Sequence, residues 1–136
     1  MRSPSEILAT STTIAVVGAS RHEDKTAHSV PRQMMRHGWR IIPVNPAADE
    51  IFGERCYPTL ADVPGPIDLV NVFRPSDQAT AVVRDAIAVG AGAIWLQLGI
   101  VSPEGRRLAE AAGTDYVEDQ CVAVVRALSR LSAPGR

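Results

Sequence analysis

The alternation of short apolar runs with amphipathic segments constrains the fold of this chain more than any other feature. The apolar runs lie at Ile14–Val17, Ile41–Val44, Leu69–Phe73, Ala93–Leu98 and Tyr116–Val117. Runs that are apolar at nearly every position are typical of parallel strands buried on both faces. The segments between them carry apolar residues at helical spacing. The sequence therefore predicts one α/β domain, residues 1–136, with a doubly wound sheet of about five parallel strands flanked by helices.

Capping residues and turn residues predict where the helices lie. Ser29 is expected to cap a helix that carries Pro31 in its first turn and ends at Gly38. Three later helices are expected to start near Ser76, Ser102-Pro103 and Asp119, the first two ending at Gly90 and Gly113. A short helix is expected near Asp49–Phe52, and residues 1–4 and the tail "SAPGR" are expected to be loosely held.

Composition excludes several functional classes. The chain has 14 basic and 15 acidic residues and a net charge of −1, whereas nucleic-acid-binding domains are usually strongly basic. No apolar run is long enough to span a membrane, and the N-terminus lacks the apolar core of a signal peptide, so a cytoplasmic protein is expected. Cys56 and Cys121 form no C-x-x-C pair, and the three histidines lack a ligand pattern, so no metal site is expected.

The residues that follow the strands are the candidates for a binding site. In a doubly wound sheet the ligand lies at the carboxyl ends of the strands, where the strand order reverses. The groups at this edge are Gly18-Ala19-Ser20, Asn45-Pro46, Phe73-Arg74-Pro75-Ser76, Gln97-Leu98-Gly99 and Asp119-Gln120-Cys121. Taken singly, each group also has an explanation without a ligand, and Ser76 and Asp119 are more often caps and Asn45-Pro46 a turn. Gln97 and Asn71 interrupt apolar strands, where an unpaired polar group costs about 1–3 kcal/mol, so each either faces the site or bonds a backbone group.

The loop after the first strand favours a ligand with several phosphates. In "IAVVGASRHEDKTAHSV", Gly18 is the one glycine where a dinucleotide-binding loop usually has three. Asn45 ends the second strand, where NAD-binding domains have an acidic residue, and an amide can donate to a ribose phosphate. Residues 21–40 hold four arginines and one lysine against two acidic residues, a local charge of +3. Coenzyme A and NADP both carry the pyrophosphate and ribose phosphate that suit such a segment.

Taken together, the motifs resemble a known family. "VVGAS", "GWRIIPVNP", "GERCYPTLADVP", "IDLVNVFRPS", "AIWLQLGI" and "DQC" occur in the order seen in the small single-domain CoA-binding proteins, from about Ile7 to Leu131. Their fold is similar to the CoA-binding domain of the succinyl-CoA synthetase α subunit. The resemblance implies a Rossmann-like domain that binds coenzyme A, with the phosphates over Gly18, Ala19 and Ser20. It also implies that Asn45-Pro46 flanks the adenosine part, Phe73-Arg74 borders the cleft, and Leu96-Gln97-Leu98 lies along the pantetheine arm.

The chain departs from the related acyl-CoA ligases at two points. A lysine typically follows the Asn-Pro turn in the ligases, whereas Ala47 and Ala48 follow it here, so Lys25 or Arg74 would have to supply the cation for the ribose phosphate. The ligases also need a second domain with a phosphorylated histidine, and no nucleophile–base pair is evident in this chain. The sequence therefore predicts a non-catalytic carrier, sensor or partner module that binds CoA or acyl-CoA. The alternative is a small NADP(H)-binding oxidoreductase or nucleotide-sensing domain.

Overall fold

The computed structural model describes residues 1–135, in which strands and helices alternate. The strands are β1 Thr13–Val17, β2 Arg40–Val44, β3 Glu50–Ile51, β4 Glu54–Arg55, β5 Leu69–Val72, β6 Ala93–Leu96 and β7 Asp115–Val117. The helices are α1 Pro4–Thr10, α2 Thr26–Arg36, α3 Ser76–Ala88, α4 Pro103–Ala112 and α5 Val122–Ser129, with a 3-10 turn at Leu60–Asp62. Five strands form one parallel sheet in the order β2-β1-β5-β6-β7, and β3 pairs with β4 in an antiparallel hairpin. The predicted Rossmann-like α/β fold with five parallel strands is confirmed.

Alternate residues of each strand supply the two faces of the sheet. In β1, Ile14 and Val16 pack in the core under α1, α2 and α5, whereas Ala15 packs in the core under α3 and α4. Every side chain of β5 and β6 is buried, because helices cover both faces of these central strands. Such burial is the physical reason why parallel strands are apolar at nearly every position.

The ends of four neighbouring strands are level with one another. Val17 of β1 is in register with Val44 of β2 and with Val72 of β5, and Val72 is in register with Leu96 of β6. The loops that follow these strands therefore meet at one edge of the sheet. Because β6 ends at Leu96, Gln97 and Leu98 belong to that edge rather than to the strand.

Two predictions about the first half of the chain are wrong. Helix α2 begins at Thr26 rather than after Ser29, so Pro31 lies in its interior and not in its first turn. The helix expected near Asp49–Phe52 is the β3–β4 hairpin, whose turn residues Phe52 and Gly53 have φ values of 61° and 74°. Positive φ at both central residues is what the tight hairpin turn requires, and a side chain larger than glycine there costs about 1–2 kcal/mol.

Residues of both terminal segments are held more firmly than the sequence indicates, and Arg136 of the tail lies outside the described residues. Arg2 pairs with Asp115 of β7 at 2.5 Å, and Ser3 caps α1 in a reciprocal arrangement with Glu6. In the tail, Ala133 is buried and its N–H donates to the carbonyl of His37 at 3.0 Å. Within residues 1–135, no helix is both long enough and apolar enough to cross a membrane.

Candidate functional site

The main cleft lies where the strand order reverses. β1 has β2 on one side and β5 on the other, so the loops that follow β1 and β5 separate at the carboxyl edge of the sheet. Ligands of doubly wound sheets bind in this crevice. The cleft has a volume of about 490 Å³ and is lined by the loops after four strands and the start of α2. The lining residues are Gly18, Ala19, Ser20, Arg21, His22, Lys25, Thr26, Ala27, Asn45, Ala47, Ala48, Phe73, Gln97, Leu98 and Ile100.

At Gly18 the loop after β1 passes close to the loop after β5. Its φ is 89°, in the left-handed region that favours glycine. A Cβ at this position would lie 3.0 Å from Cδ of Arg74 and 3.2 Å from the backbone carbonyl carbon of Phe73. No other residue between Gly18 and α2 has a positive φ. A single glycine therefore meets the conformational needs of this loop.

Helix α2 begins at the cleft without a side-chain cap. Its N-cap residue is Lys25, whose side chain makes no capping bond. Thr26 and Ala27 line the cleft, and the first N–H groups of a helix have no partner inside it. The structure records no acceptor for these two N–H groups within residues 1–135. Free N–H groups and the helix dipole attract anions, so the start of α2 is suited to a phosphate.

A proline inside α2 frees the carbonyl that anchors the loop. Pro31 has no N–H, so the carbonyl of Ala27, four residues earlier, lacks its usual helical donor. The N–H of Ser20 donates to that carbonyl instead, at 3.1 Å. In return, Nδ1 of His28 donates to the carbonyl of Ser20 at 2.7 Å, and it must carry the proton because a carbonyl oxygen only accepts. Two hydrogen bonds thus fix Ser20 to the first turn of α2.

Asn45 shapes the cleft through contacts within the protein. Its Nδ2 donates to the carbonyl of Ala19, and its Oδ1 accepts from the N–H of Ala47, each at 2.8 Å. From the sequence, this amide is expected to donate to a ribose phosphate, but one of its two N–H groups already donates a hydrogen bond to the loop after β1. An acidic residue here would place a carboxylate oxygen next to the carbonyl oxygen of Ala19, where the two would repel each other. The loop itself therefore requires an amide at the end of β2.

Gln97 both lines the cleft and bonds a backbone group, the two alternatives that the sequence leaves open. Its Oε1 accepts from the N–H of Val122 and from Nδ2 of Asn71, both at 3.3 Å, and the residue also lines the cleft. Because a backbone N–H only donates, Oε1 must be the atom that faces Val122. The structure records no acceptor for Nε2 of Gln97 within residues 1–135. Asn71 is 1% exposed and also donates to the carbonyl of Trp95, so it belongs to the interior.

Most of the predicted site residues meet at this cleft. Those that line it are Gly18, Ala19, Ser20, Lys25, Asn45, Phe73, Gln97 and Leu98. Three do not. Leu96 is fully buried in the core under α3 and α4, Pro46 is exposed outside the lining, and the guanidinium of Arg74 donates to Oε1 of Gln78 at 2.5 Å. A residue next to a strand end can therefore point away from the cleft.

The cleft also contains residues that the sequence did not single out as site residues. They are Arg21, His22, Thr26, Ala27, Ala47, Ala48 and Ile100. Thr26 and Ala27 were missed because the start of α2 was predicted too late. Lysine is not a capping residue, so nothing in the local sequence marks Lys25 as the N-cap.

The polar groups around Ser20 are bonded to the protein itself. The hydroxyl of Ser20 accepts from the N–H of His22 at 3.1 Å, and the ring of His28 bonds the carbonyl of Ser20 rather than its hydroxyl. Beneath Asn45, burial raises the pKa of the Cys56 thiol, which donates to the Asn45 carbonyl. Within residues 1–135, no group of three or more His, Cys, Asp or Glu side chains could hold a metal ion.

Comparison with known proteins identifies the family. Residues 12–127 match the CoA binding domain family. The chain is 39% identical to the uncharacterized protein YneT of Bacillus subtilis (strain 168), an alignment that covers 92% of this chain and 93% of YneT. A solved structure from Thermus thermophilus, cell-free ID.343, has a TM-score of 0.89 and 34% identity, and the match covers 94% of this chain and 99% of that one.

A longer relative has the same domain as one of its parts. The ADP-forming acetate–CoA ligase of Methanocaldococcus jannaschii is 32% identical over 63% of this chain, and the match covers 12% of the ligase. The chain thus corresponds to a small part of that enzyme. The family match extends over most of the chain, and it includes the loops and the helix start that form the cleft. The chain belongs to the CoA binding domain family.

Proposed function

We propose that the cleft binds coenzyme A or an acyl-CoA, and that the chain acts as a carrier, sensor or partner module without catalysing a reaction. The observation that carries this proposal is the uncapped start of α2 at the point of strand-order reversal, beside Lys25. Coenzyme A carries three phosphates, and unpaired helix N–H groups next to a lysine are a favourable site for them. We also propose that the protein is cytoplasmic and that its ligand is a small molecule rather than a nucleic acid or a membrane.

The pyrophosphate is proposed to bind between the Gly18–Ser20 loop and the first turn of α2. The N–H groups of Thr26 and Ala27 are the donors, and Lys25 supplies a positive charge. Lys25 makes no ion pair with any of residues 1–135, so its charge is not already neutralised. Alanines follow the Asn45-Pro46 turn, and Lys25 is the one lysine of the sequence, so it is also proposed to contact the 3′-phosphate.

The pantetheine arm is proposed to run along the turn after β6. Leu98 is 67% exposed although it is apolar, and Phe73 and Ile100 are half-buried beside it in the same lining. An arm lying over these side chains removes apolar surface from water. Nε2 of Gln97 is the donor available to an amide carbonyl of the arm. The buried side chain of Leu96 supports this turn from the core and does not touch the ligand.

The adenosine part is proposed to lie beside the turn after β2. Ala47 and Ala48 have small side chains, which leave room for a purine ring in this part of the cleft. Asn45 contributes by holding the carbonyl of Ala19 and the N–H of Ala47, so it orients the two loops that border the ring. Pro46 follows the end of β2 by two residues and is exposed beside the turn.

Calorimetric titration with a ligand panel tests the proposal. The panel is CoA, acetyl-CoA, dephospho-CoA, NADH and NADPH, and we expect CoA to bind more tightly than either nicotinamide cofactor. Dephospho-CoA should bind more weakly than CoA, and the affinity for CoA should fall with salt if phosphates are bound by charge. The variant Arg107→Ala is the control, because Arg107 is exposed on α4 and outside the cleft. NADPH binding that equals or exceeds CoA binding would refute the proposal and support the oxidoreductase alternative.

The non-catalytic role is tested separately from binding. Purified chain incubated with acetyl-CoA or succinyl-CoA is expected to release no free CoA above the buffer blank, because no base contacts the hydroxyl of Ser20 in the described residues. Hydrolysis that survives repurification and is abolished by a single substitution in the cleft would show that the chain is an enzyme.

A further inference from the structure

A second groove lies between α2 and the β3–β4 hairpin. Its volume is about 620 Å³, and it is lined by His28, Arg32, Met35, Arg36, Phe52 and Gly53. None of these residues lines the main cleft. The four α2 residues follow the i, i+4, i+7, i+8 spacing of one helix face, so they present a single surface to the hairpin.

We propose that this groove is a second binding site, for a small organic phosphate with an aromatic or apolar part. The proposal does not depend on CoA binding in the main cleft. It rests on an orphaned buried nitrogen, on two arginines and on an apolar wall, all in the same groove.

The orphaned nitrogen belongs to His28. The side chain is 6% exposed, and its Nδ1 donates to the carbonyl of Ser20. Nε2 is fully buried and has no hydrogen-bond partner within residues 1–135. Buried polar atoms are nearly always paired, and an exception calls for an explanation such as a missing ligand. With both ring nitrogens protonated, Nδ1–H keeps its bond to the Ser20 carbonyl and Nε2–H can donate to a phosphate oxygen of the ligand.

The charge of the groove selects an anion. Arg32 and Arg36 line it one helical turn apart, and none of its lining residues is acidic. Arg32 approaches Glu23 at 4.0 Å, but both side chains are largely exposed, and such pairs are weak. Arg36 makes no ion pair with any other described residue. Two arginines are the usual partners of a phosphate, because the guanidinium matches its geometry.

The apolar wall selects the rest of the ligand. The ring of Phe52 lies 4.8 Å from the ring of His28, centroid to centroid, at an angle of 51°. Phe52 and Met35 are both half-buried and pack against the main core, so they form a firm apolar side to the groove. The groove thus offers charge on one side and an aromatic surface on the other, which suits a phosphate joined to a ring.

Phenyl phosphate is the probe that tests the site. Titration of ¹⁵N-labelled protein, first alone and then with saturating CoA, is expected to shift the amide signals of residues 28–36 and 52–53 in both cases. Phenol should give no saturable shift, because it lacks the phosphate. Arg36→Gln should weaken binding of phenyl phosphate about tenfold or more. Arg107→Gln, the matched exposed control on α4, should leave binding unchanged.

Three outcomes of the titration would overturn the proposal of a second site. Shifts confined to residues 18–27 and abolished by Lys25→Ala would mean that phenyl phosphate enters the main cleft only, which overturns the proposal. Binding that is insensitive to both Arg36→Gln and Arg32→Gln, or no saturable shift at all, overturns it as well. Both arginines are exposed, so neither variant is expected to unfold the chain. Failure of CoA to bind would refute the proposed function of the cleft and leave this test intact.

Discussion

Replacing Asn45 with aspartate is expected to destabilise the fold at neutral pH. Asn45→Asp preserves the size of the side chain and the acceptor for the N–H of Ala47, but it replaces the Nδ2 donor that lies 2.8 Å from the carbonyl of Ala19. Losing one hydrogen bond and leaving a carbonyl unpaired costs about 1–3 kcal/mol, and the apposition of two oxygens adds to this. We therefore expect the free energy of unfolding to fall by about 2–3 kcal/mol, a large share of the 5–15 kcal/mol typical of a domain.

The same variant has a characteristic dependence on pH. Only a protonated carboxyl can donate to the Ala19 carbonyl, so the folded state raises the pKa of the introduced aspartate. Its destabilisation is complete above that raised pKa and disappears below the unfolded value of about 3.9. The deficit relative to the parent should therefore shrink as the pH falls toward that value.

Urea unfolding followed by tryptophan fluorescence measures the deficit, because Trp39 and Trp95 are both buried. Gln120→Glu is the control: it adds the same charge at an exposed side chain outside the cleft. An Asn45→Asp variant as stable as the parent at neutral pH would contradict the role given to the amide. A deficit of constant size across the pH range would show that the loss does not come from the missing donor.

Three further outcomes follow from the structure. Lys25→Ala should weaken CoA binding about 10- to 100-fold, because a charge-assisted hydrogen bond is lost. Arg74→Ala should have a smaller effect, because the guanidinium of Arg74 bonds Gln78 outside the cleft. Calorimetry that ranks the two variants in the opposite order would contradict the proposed site. Burial raises the pKa of Asp68, but hydrogen bonds from the chain at Thr12 and Thr13 lower it by more, so the net pKa in the folded state lies below the ordinary value. The carboxylate therefore stabilises the fold above about pH 3.9, and this contribution is lost on acidification. Asp68→Asn should lose less stability than the parent between neutral pH and pH 3, and an identical acid profile would count against this account. Iodoacetamide should modify the half-buried Cys121 before Cys56, whose thiol pKa is raised by burial, and intact-mass analysis that finds the reverse order would show Cys56 to be accessible.

The sheet could be predicted from the sequence because each strand carries its own signal. β5 and β6 are covered on both faces, so each is apolar at nearly every position and is recognisable without its neighbours. The edge that holds the site follows from the parallel arrangement of these strands. Which way a side chain points does not follow as easily, because neighbouring positions at a strand end alternate between the core and the cleft. Leu96 points into the core, and Gln97, one residue later, lines the cleft.

The start of α2 could not be predicted, because it is determined by contacts outside the helix. Its first turn is fixed by bonds between Ser20 and two of its residues, and its unpaired N–H groups face the cleft. A helix start that is open to a ligand lacks the capping residue by which helix starts are usually recognised. The hairpin was missed for a related reason. Phe52 is not a typical turn residue, and its contact with His28 is distant in sequence.

The bond between Ser20 and the carbonyl that Pro31 leaves free has a consequence for the motions of the protein. Helix ends ordinarily fray, and surface loops ordinarily open at a low cost in free energy. Here two hydrogen bonds join the loop to the first turn of α2, so we expect the two to open together and the amides of Ser20, His28 and Ser29 to exchange with deuterium at a common rate. A ligand that slows exchange at one of them should slow it at all three, since opening is a single cooperative event.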